Sequence, residues 1–506
     1  MALEKVCSIN LKRRITMRMD CTNLINGEWI ATSASVENRC PANTDEVLGS
    51  APDSGEAEAL AAIAAAKAAL PGWRDETTAP QRGAYLYRLV RLLERDTDKL
   101  AEALAREEGK LFREAKGEVG KTIRYVEFAA GDCRRMTGIT SESEMPGTLA
   151  MTLWRPHGVV GLITPWNFPV CIPLWKIAPA IAAGNTVVLK PAPETPLTAH
   201  LIGELIQEAG IPNGVVNIVH GDVAPAKVLL EHPDVKAISF TGSTEVGRIV
   251  EKTCGALHKP VQCELGGKNP LIVLDDADVE KAAAACALGA FGSTGQRCTA
   301  TSRAIVMHEV ADAFVERVLA LAADIVAGHP MNEATTMGPS VSERQLAQVL
   351  KYMEIGKKEA TLKCGGYRMM EGDLAKGYFP APTLFDHVKP DARIATEEIF
   401  GPVLSVIRVG SLDEAIDVAN AVDFGLTGSV FTQTISRAFQ VIHRLDTGMT
   451  HVNNPTIGGE AHMPFGGVKA TGVGPREMGP GAWKFYAEEK TVYINHAAMQ
   501  RKSSIY

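Results

Sequence analysis

The segment 291–303, FGSTGQRCTATSR, sets Cys298 among glycines and small hydroxylated residues, with Arg297 immediately before it. A free thiol titrates near about 8.5, so its use as a nucleophile demands a group that stabilises the thiolate or takes its proton. Other residues suited to such chemistry lie at the ends of apolar runs. QCELGGKNP (262–270) places Glu264 before two glycines, where a partly buried carboxylate serves as a general base. TPWNFP (164–169) holds Asn167, whose side-chain amide is suited to donate to an oxyanion. VVLKPAPETP (187–196) brings Lys190 to the carboxyl end of a strand, the edge at which open α/β sheets bind ribose or phosphate. GSTEVG (242–247) follows VKAISF, so Gly242, Ser243 and Gly247 lie where free amides and a helix dipole meet a phosphate. Each has a plain structural alternative: a packed thiol for Cys298, a solvated acid for Glu264, turn chemistry for Asn167. For Lys190 it is a snorkelling side chain, and for Ser243 or Thr244 a helix N-cap.

The elements that must position these residues follow a repeating pattern. VVGLIT (159–164), NTVVLK (185–190), VVNIVHG (215–221) and VKAISFTG (235–242) are β-branched runs, each followed by a helical stretch. A second series runs through NPLIVL (269–274), a helix over 277–290, VLSVIRVG (403–410), a helix near 412–421, TGSVFT (427–432) and GMTHVN (448–453). Buried strands alternating with helices predict an α/β fold of two doubly wound, Rossmann-like domains. The crossover falls near 262–268. Residues 54–70 and 83–135 are helical by composition, and WKFYAEEKTVYINH (483–496) is a late strand detached from both sheets.

With 506 residues, two or three domains are expected. A hydrophobic fraction of 46% and a charged fraction of 22% describe a soluble globular chain. Net charge −7 argues against nucleic acid or an acidic membrane as partner. No apolar run spans a membrane and the basic N-terminus lacks the core of a secretory signal. The ten scattered cysteines form no CxxC or Cys/His cluster, so neither a metal site nor a disulfide framework is expected, and a reducing cytoplasm is the simplest home. GKT at 120–122 is not a P-loop, because Ala115 stands where that loop needs glycine.

In order and spacing, TPWNFP, KPAPETP, FTGSTEVG, ELGGKNP, GQRC, EEIFGPV (397–403) and MPFGGVKATGVG (463–474) resemble the aldehyde dehydrogenase superfamily, from about residue 23 to about 497. The resemblance implies that Cys298 attacks the aldehyde and that Asn167 with the Cys298 N–H forms the oxyanion hole. It implies that Glu264 activates the water that hydrolyses the thioester. NAD or NADP is implied as cofactor, held by Trp166, Lys190, Pro193, Gly242, Ser243, Gly247, Glu398 and Phe400. Phe168 and Phe465 resemble aromatic walls of the substrate tunnel. Implied domains are 1–142 with 157–262 for the cofactor, 263–475 for catalysis, and 143–156 with 476–506 for assembly into a homodimer or homotetramer.

Two departures carry information. Where many NAD-preferring members have glutamate three residues after the lysine, this chain has Pro193 and a displaced Glu194, which predicts acceptance of NADP. Arg297 stands where many enzymes for neutral aldehydes are uncharged, which predicts a carboxylate-bearing substrate; Lys121, Arg124, Arg155 and His157 are further candidates for its anchor. GQRCTATSR with KPAPETP looks most like the 2-oxoglutarate semialdehyde dehydrogenases, with succinate semialdehyde as close competitor. Neutral aldehydes and phosphorylated or phosphonate aldehydes are the alternatives. A CoA-acylating relative would lack Glu264, and a cysteine hydrolase would need a histidine beside the thiol.

Overall fold

A computed structural model of the chain describes residues 18–496. The amino-terminal arm, Cys7 and residues 497–506 of the expected assembly element lie outside them. VVGLI at Val159–Ile163 and TVVLK at Thr186–Lys190 are buried along their whole length, as strands covered on both faces must be. They pair in parallel, with Ile163 opposite Lys190. Val216–Ile218 extends the sheet on that side; Val235–Thr241 and then Val261–Glu264 extend it on the other, all parallel. The hairpin Asn23–Ile25/Glu28–Ile30 and the antiparallel strand Gly472–Val473 complete eight strands. Strand order reverses at Val159–Ile163, which opens a crevice at the carboxyl edge.

Asn269–Val273 plays the same part in a seven-stranded sheet. Thr301–Met307, Val403–Val409 and Thr383–Asp386 lie on one side of it, Thr427–Phe431 and Met449–Val452 on the other, with Thr361–Cys364 at an edge. Alternation along each strand feeds two cores. Leu162 and Leu189 join the cluster on one face of the first sheet, Ile163 and Val188 the cluster on the other. Ile272 and Ile305 are likewise separated from Leu271 and Val306. A third sheet joins Thr140–Glu142, Thr148–Pro156 and Ala487–Asn495, the last two paired antiparallel from Ala487/Pro156 to Asn495/Thr148.

The structure refines the sequence reading at particular places. The stretch expected to be helical over 83–135 is three helices, Ala79–Arg95, Thr97–Glu108 and Phe112–Asp132. Gly109, at φ +91°, ends the second in a left-handed cap that a side chain would strain. Between 291 and 402 the reading assigns no element, yet Thr301–Met307, His308–Ala323 and Glu343–Glu359 lie there. Buried Arg303 disguises that strand: its guanidinium donates to Lys268 O, Val418 O and Ala419 O at 3.0, 3.0 and 2.9 Å. Gly472–Val473 falls inside the span read as catalytic but belongs to the first sheet.

Candidate active site

Cys298 lies between the helix Val279–Phe291 and the strand Thr301–Met307. Just before it, Ser293, Thr294 and Gly295 are all left-handed, at φ +49°, +57° and +67°. For the two non-glycines that costs roughly 1–3 kcal/mol each, so neighbours must hold them. Ser293 N–H donates to Glu114 Oε1 at 3.0 Å and Thr294 Oγ1 to Gly338 O at 2.9 Å. Gln296 donates to Pro339 O at 3.2 Å and accepts Val341 N–H at 2.9 Å. Arg297 belongs to the same clamp: Nη2 lies 2.9 Å from Glu114 Oε1 and 2.7 Å from Ser293 Oγ. The sequence reading takes Arg297 as a substrate anchor; the structure places its guanidinium on Glu114 and Ser293. A carboxylate on the first turn of Phe112–Asp132, together with the loop's own serine, takes its guanidinium. From behind, Asn269 Nδ2 holds Cys298 O and Ala300 O, each at 2.8 Å.

The half-buried thiol joins an apolar cluster that includes Phe168, Ile172, Trp175 and Phe465, so both expected aromatic walls share its surroundings. Burial first, then the Glu264 and Glu398 carboxylates, push the thiol up to about 12, while the Lys121 ammonium acts in the opposite direction. Glu264 ends its strand buried, with Oε2 lacking a partner. Burial and then the Glu477 carboxylate raise it well above the usual carboxylate range. Glu477 is ion-paired with Lys176, whose ammonium also donates to Ser239 Oγ at 2.7 Å.

Asn167 Nδ2 donates to Gln296 O at 3.2 Å, two residues before the thiol, and keeps a second N–H. Its loop is held by a buried pair. Lys110 Nζ reaches Glu118 Oε2 and Asn167 O at 2.6 Å each and sits 4.0 Å over the Phe168 ring. Glu118 Oε1 accepts the N–H groups of Val170 and Cys171 at 3.0 and 3.1 Å. Both members are 1% exposed, and removing one partner of such a pair costs about 3–5 kcal/mol. The sequence reading missed Lys110, Glu118, Lys176 and Glu477. Lys176 had a signal, as a lone charge in the apolar run WKIAPAIAAG; the others had none in their own neighbourhoods.

Along the carboxyl edge of the first sheet, Lys190 Nζ donates to Pro191 O at 2.7 Å and Gly221 O at 3.0 Å. Burial lowers it to about 8 against the pull of Asp222 and Glu194. Exposed Pro193 precedes Glu194, which lies 3.5 Å from Arg344 Nη2. Ser243 Oγ accepts Val246 N–H at 3.4 Å as the N-cap of Thr244–Ala256. Gly247 packs that helix on Leu265, where a Cβ would overlap the leucine; a Cβ on Gly242 would meet the Phe240 ring. Trp166 and Phe400 meet edge to face at 5.4 Å and 87°. Glu398 Oε1 accepts Gly267 N–H at 2.9 Å, and burial raises its carboxyl to about 7. The hydroxyls of Thr164, Thr241 and Thr244 are buried here without partners. Unpartnered hydroxyls, a helix start and a buried ammonium along one edge fit a phosphate-bearing ligand.

Arg155 and His157 lie at the third sheet: Arg155 is opposite Glu488, and His157 contacts Phe485 O at 2.9 Å. Arg124 is exposed. Elsewhere, Cys40, Glu46 and His329 bring ligand-type atoms within 4.8 Å of one another, a cluster that spacing along the chain does not announce. The Cys40 thiol and the Glu46 carboxylate beside it raise His329 to about 9. All nine described cysteines are free, and among the described residues no helix is long and apolar enough to cross a membrane.

Residues 29–492 match the sequence pattern of the aldehyde dehydrogenase family. The chain is 43% identical over 489 residues to alpha-ketoglutaric semialdehyde dehydrogenase of Bacillus subtilis (strain 168), covering 95% of this chain and 99% of that one. It is 40% identical over 476 residues to malonate-semialdehyde dehydrogenase 2 of Geobacillus thermodenitrificans (strain NG80-2), covering 94% and 98%. Its fold superposes on a NAD-dependent aldehyde dehydrogenase from Sinorhizobium meliloti with a TM-score of 0.93 at 35% identity, covering 97% and 98%. The chain therefore belongs to the aldehyde dehydrogenase family.

Proposed function

We propose that this dehydrogenase oxidises a carboxylate-bearing aldehyde to the acid, with Cys298 as nucleophile, Asn167 as oxyanion donor and Glu264 as base. The observation that carries the reading is the buried Glu264 carboxyl at the end of its strand, its Oε2 unpartnered. A nicotinamide cofactor, when bound, supplies the two-electron acceptor that turns the cysteine-bound adduct into a thioester. The rest is the work of the chain. The Cys298 sulfur adds to the aldehyde carbon as its proton passes to solvent, and the spare N–H of Asn167 with the Cys298 N–H steadies the oxygen that gains charge. Glu264 then draws a proton from the water that attacks the thioester, the acid departs and the thiol is restored. A base at this point favours hydrolysis over transfer to CoA.

The substrate is an ω-carboxylate aldehyde such as 2-oxoglutarate semialdehyde or succinate semialdehyde, in keeping with the names of the relatives. Pro193 occupies the position three residues after Lys190, the displaced Glu194 faces exposed Arg344 at 3.5 Å, and NADP is accepted alongside NAD. The edge strand Ala487–Asn495, with Tyr493 63% exposed, is the surface through which copies assemble into a homodimer or homotetramer. Nine free thiols suit the reducing cytoplasm. The test is kcat/KM for succinate semialdehyde against butanal. A preference for the acid of about tenfold or more, ~1.4 kcal/mol, is expected. Equal or reversed values would leave a neutral-aldehyde enzyme.

A further inference from the structure

We propose that Lys121 is the anion subsite of the aldehyde tunnel, receiving the carboxylate at the far end of the substrate. The inference rests on the semialdehyde reading above and assigns its specificity to one side chain.

Most other cations around the thiol are committed; buried Lys268 has no hydrogen-bond partner, but its charge is felt by Glu398, Glu397 and Arg303 rather than at the thiol. Arg297 is paired with Glu114, Lys110 with Glu118 and Lys176 with Glu477. Arg476 Nη1 donates to Gly467 O, and Arg303 is spent on three backbone carbonyls. Among the described residues, the Lys121 ammonium has no carboxylate within ion-pair distance and no hydrogen-bond partner. Its one contact partner of note is Tyr125, whose ring centre lies 5.8 Å from Nζ.

Its position follows from helix periodicity. On Phe112–Asp132, Glu114, Glu118, Lys121 and Tyr125 recur at intervals of three and four, so they share one face. That face is the one whose Glu114 and Glu118 hold the nucleophile and oxyanion loops. Lys121 continues the row toward the tunnel walls. A Cβ placed on Gly459 would lie 3.4 Å from Phe465 Cδ2, 3.7 Å from Lys121 Nζ and 3.9 Å from Met478 Cε. The ammonium and the aromatic wall thus converge on one spot that the glycine leaves clear. Tyr125 fixes that loop by donating to Gly459 O at 3.3 Å, and the side chain of Glu460 beside it is largely exposed, 3.2 Å from His462. Lys121 is half-buried, whereas Arg124 on the same helix is exposed. The thiol feels the Lys121 charge, so the ammonium lies within electrostatic range of the reacting centre. A lysine is a compact charge on a flexible stem with three donors, so it meets carboxylates on chains of differing length, which a fixed bidentate arginine does not.

The experiment compares kcat/KM for succinate semialdehyde and butanal in wild type, Lys121→Met and Lys121→Arg. In Lys121→Met the acid-to-neutral ratio falls about ten- to a hundredfold, chiefly through the KM of the acid, and Lys121→Arg restores part of it. Lys121→Gln replaces the methionine variant if that one does not fold. A wild type that prefers the acid and a Lys121→Met that keeps the same ratio would overturn the Lys121 assignment while leaving the semialdehyde reading intact. Equal losses on both aldehydes would make Lys121 a structural residue and overturn the subsite. A wild type with no preference would overturn the semialdehyde reading, and the subsite with it.

Discussion

The eight-stranded sheet meets the cleft with the carboxyl ends of its strands, at Lys190, Thr241 and Glu264. The seven-stranded sheet meets it with amino ends, through Lys268 before Asn269–Val273 and Cys298 before Thr301–Met307. On the first side, hydroxyls at Thr164, Thr241 and Thr244 are left without partners. On the second, the loop before Cys298 is engaged residue by residue, at Ser293, Thr294, Gln296 and Arg297. The difference separates two tasks. A binding edge keeps donors free until a ligand arrives, whereas a reacting thiol is placed before the substrate enters, because a displacement of one ångström costs about a hundredfold in rate.

Replacing the thiol tests the second side most severely. Cys298→Ala should lower kcat by at least about 10⁴-fold while leaving nucleotide binding by fluorescence titration intact. Retained turnover would remove the thiol from the chemistry. Glu264→Gln should lower steady kcat about 10²- to 10⁴-fold while a first burst of reduced cofactor survives. Because Glu264 is raised and acts as its carboxylate, wild-type kcat should fall as pH drops through that raised value, and the variant should lose this limb. Arg297→Met, which unclamps the loop, should lower kcat about ten- to a hundredfold for acid and neutral aldehydes alike, with cofactor affinity unmoved. A loss confined to the acid would return Arg297 to the substrate and blur the contrast between the two sides. On the binding edge, Pro193→Glu should shift the NADP-to-NAD ratio of kcat/KM about tenfold toward NAD, ~1.4 kcal/mol. An unmoved ratio would mean that Glu194 already does this work.

The strands and helices of the first sheet were legible because runs such as VVGLI and TVVLK carry their burial in their own residues. Thr301–Met307 was hidden because buried Arg303 finds its acceptors on Lys268, Val418 and Ala419, far along the chain. Arg297 shows the same limit. Its charge was plain, but its partner Glu114 is 183 residues away, and only the fold tells a substrate anchor from a clamp. Lys121 and Arg124 were indistinguishable one helical turn apart, until the fold turned one inward and the other to solvent. Cys40 and His329, 289 residues apart, could not be joined by spacing at all. Local physics alone read Glu264 as a strand-end acid; the order of motifs along the chain gave it a role.

Gly472–Val473 also has a bearing on how the protein is made. It covers the edge of Val261–Glu264, yet it leaves the ribosome roughly two hundred residues later. At about 5–20 residues per second, the strand that ends in Glu264 waits some 10–40 s with one rank of amides and carbonyls bare. Bare edges recruit other chains, so nascent polypeptides on one messenger are exposed to each other during that interval. The edge is closed only as the last tenth of the chain emerges, so a chain cut short before Gly472 keeps it open for good.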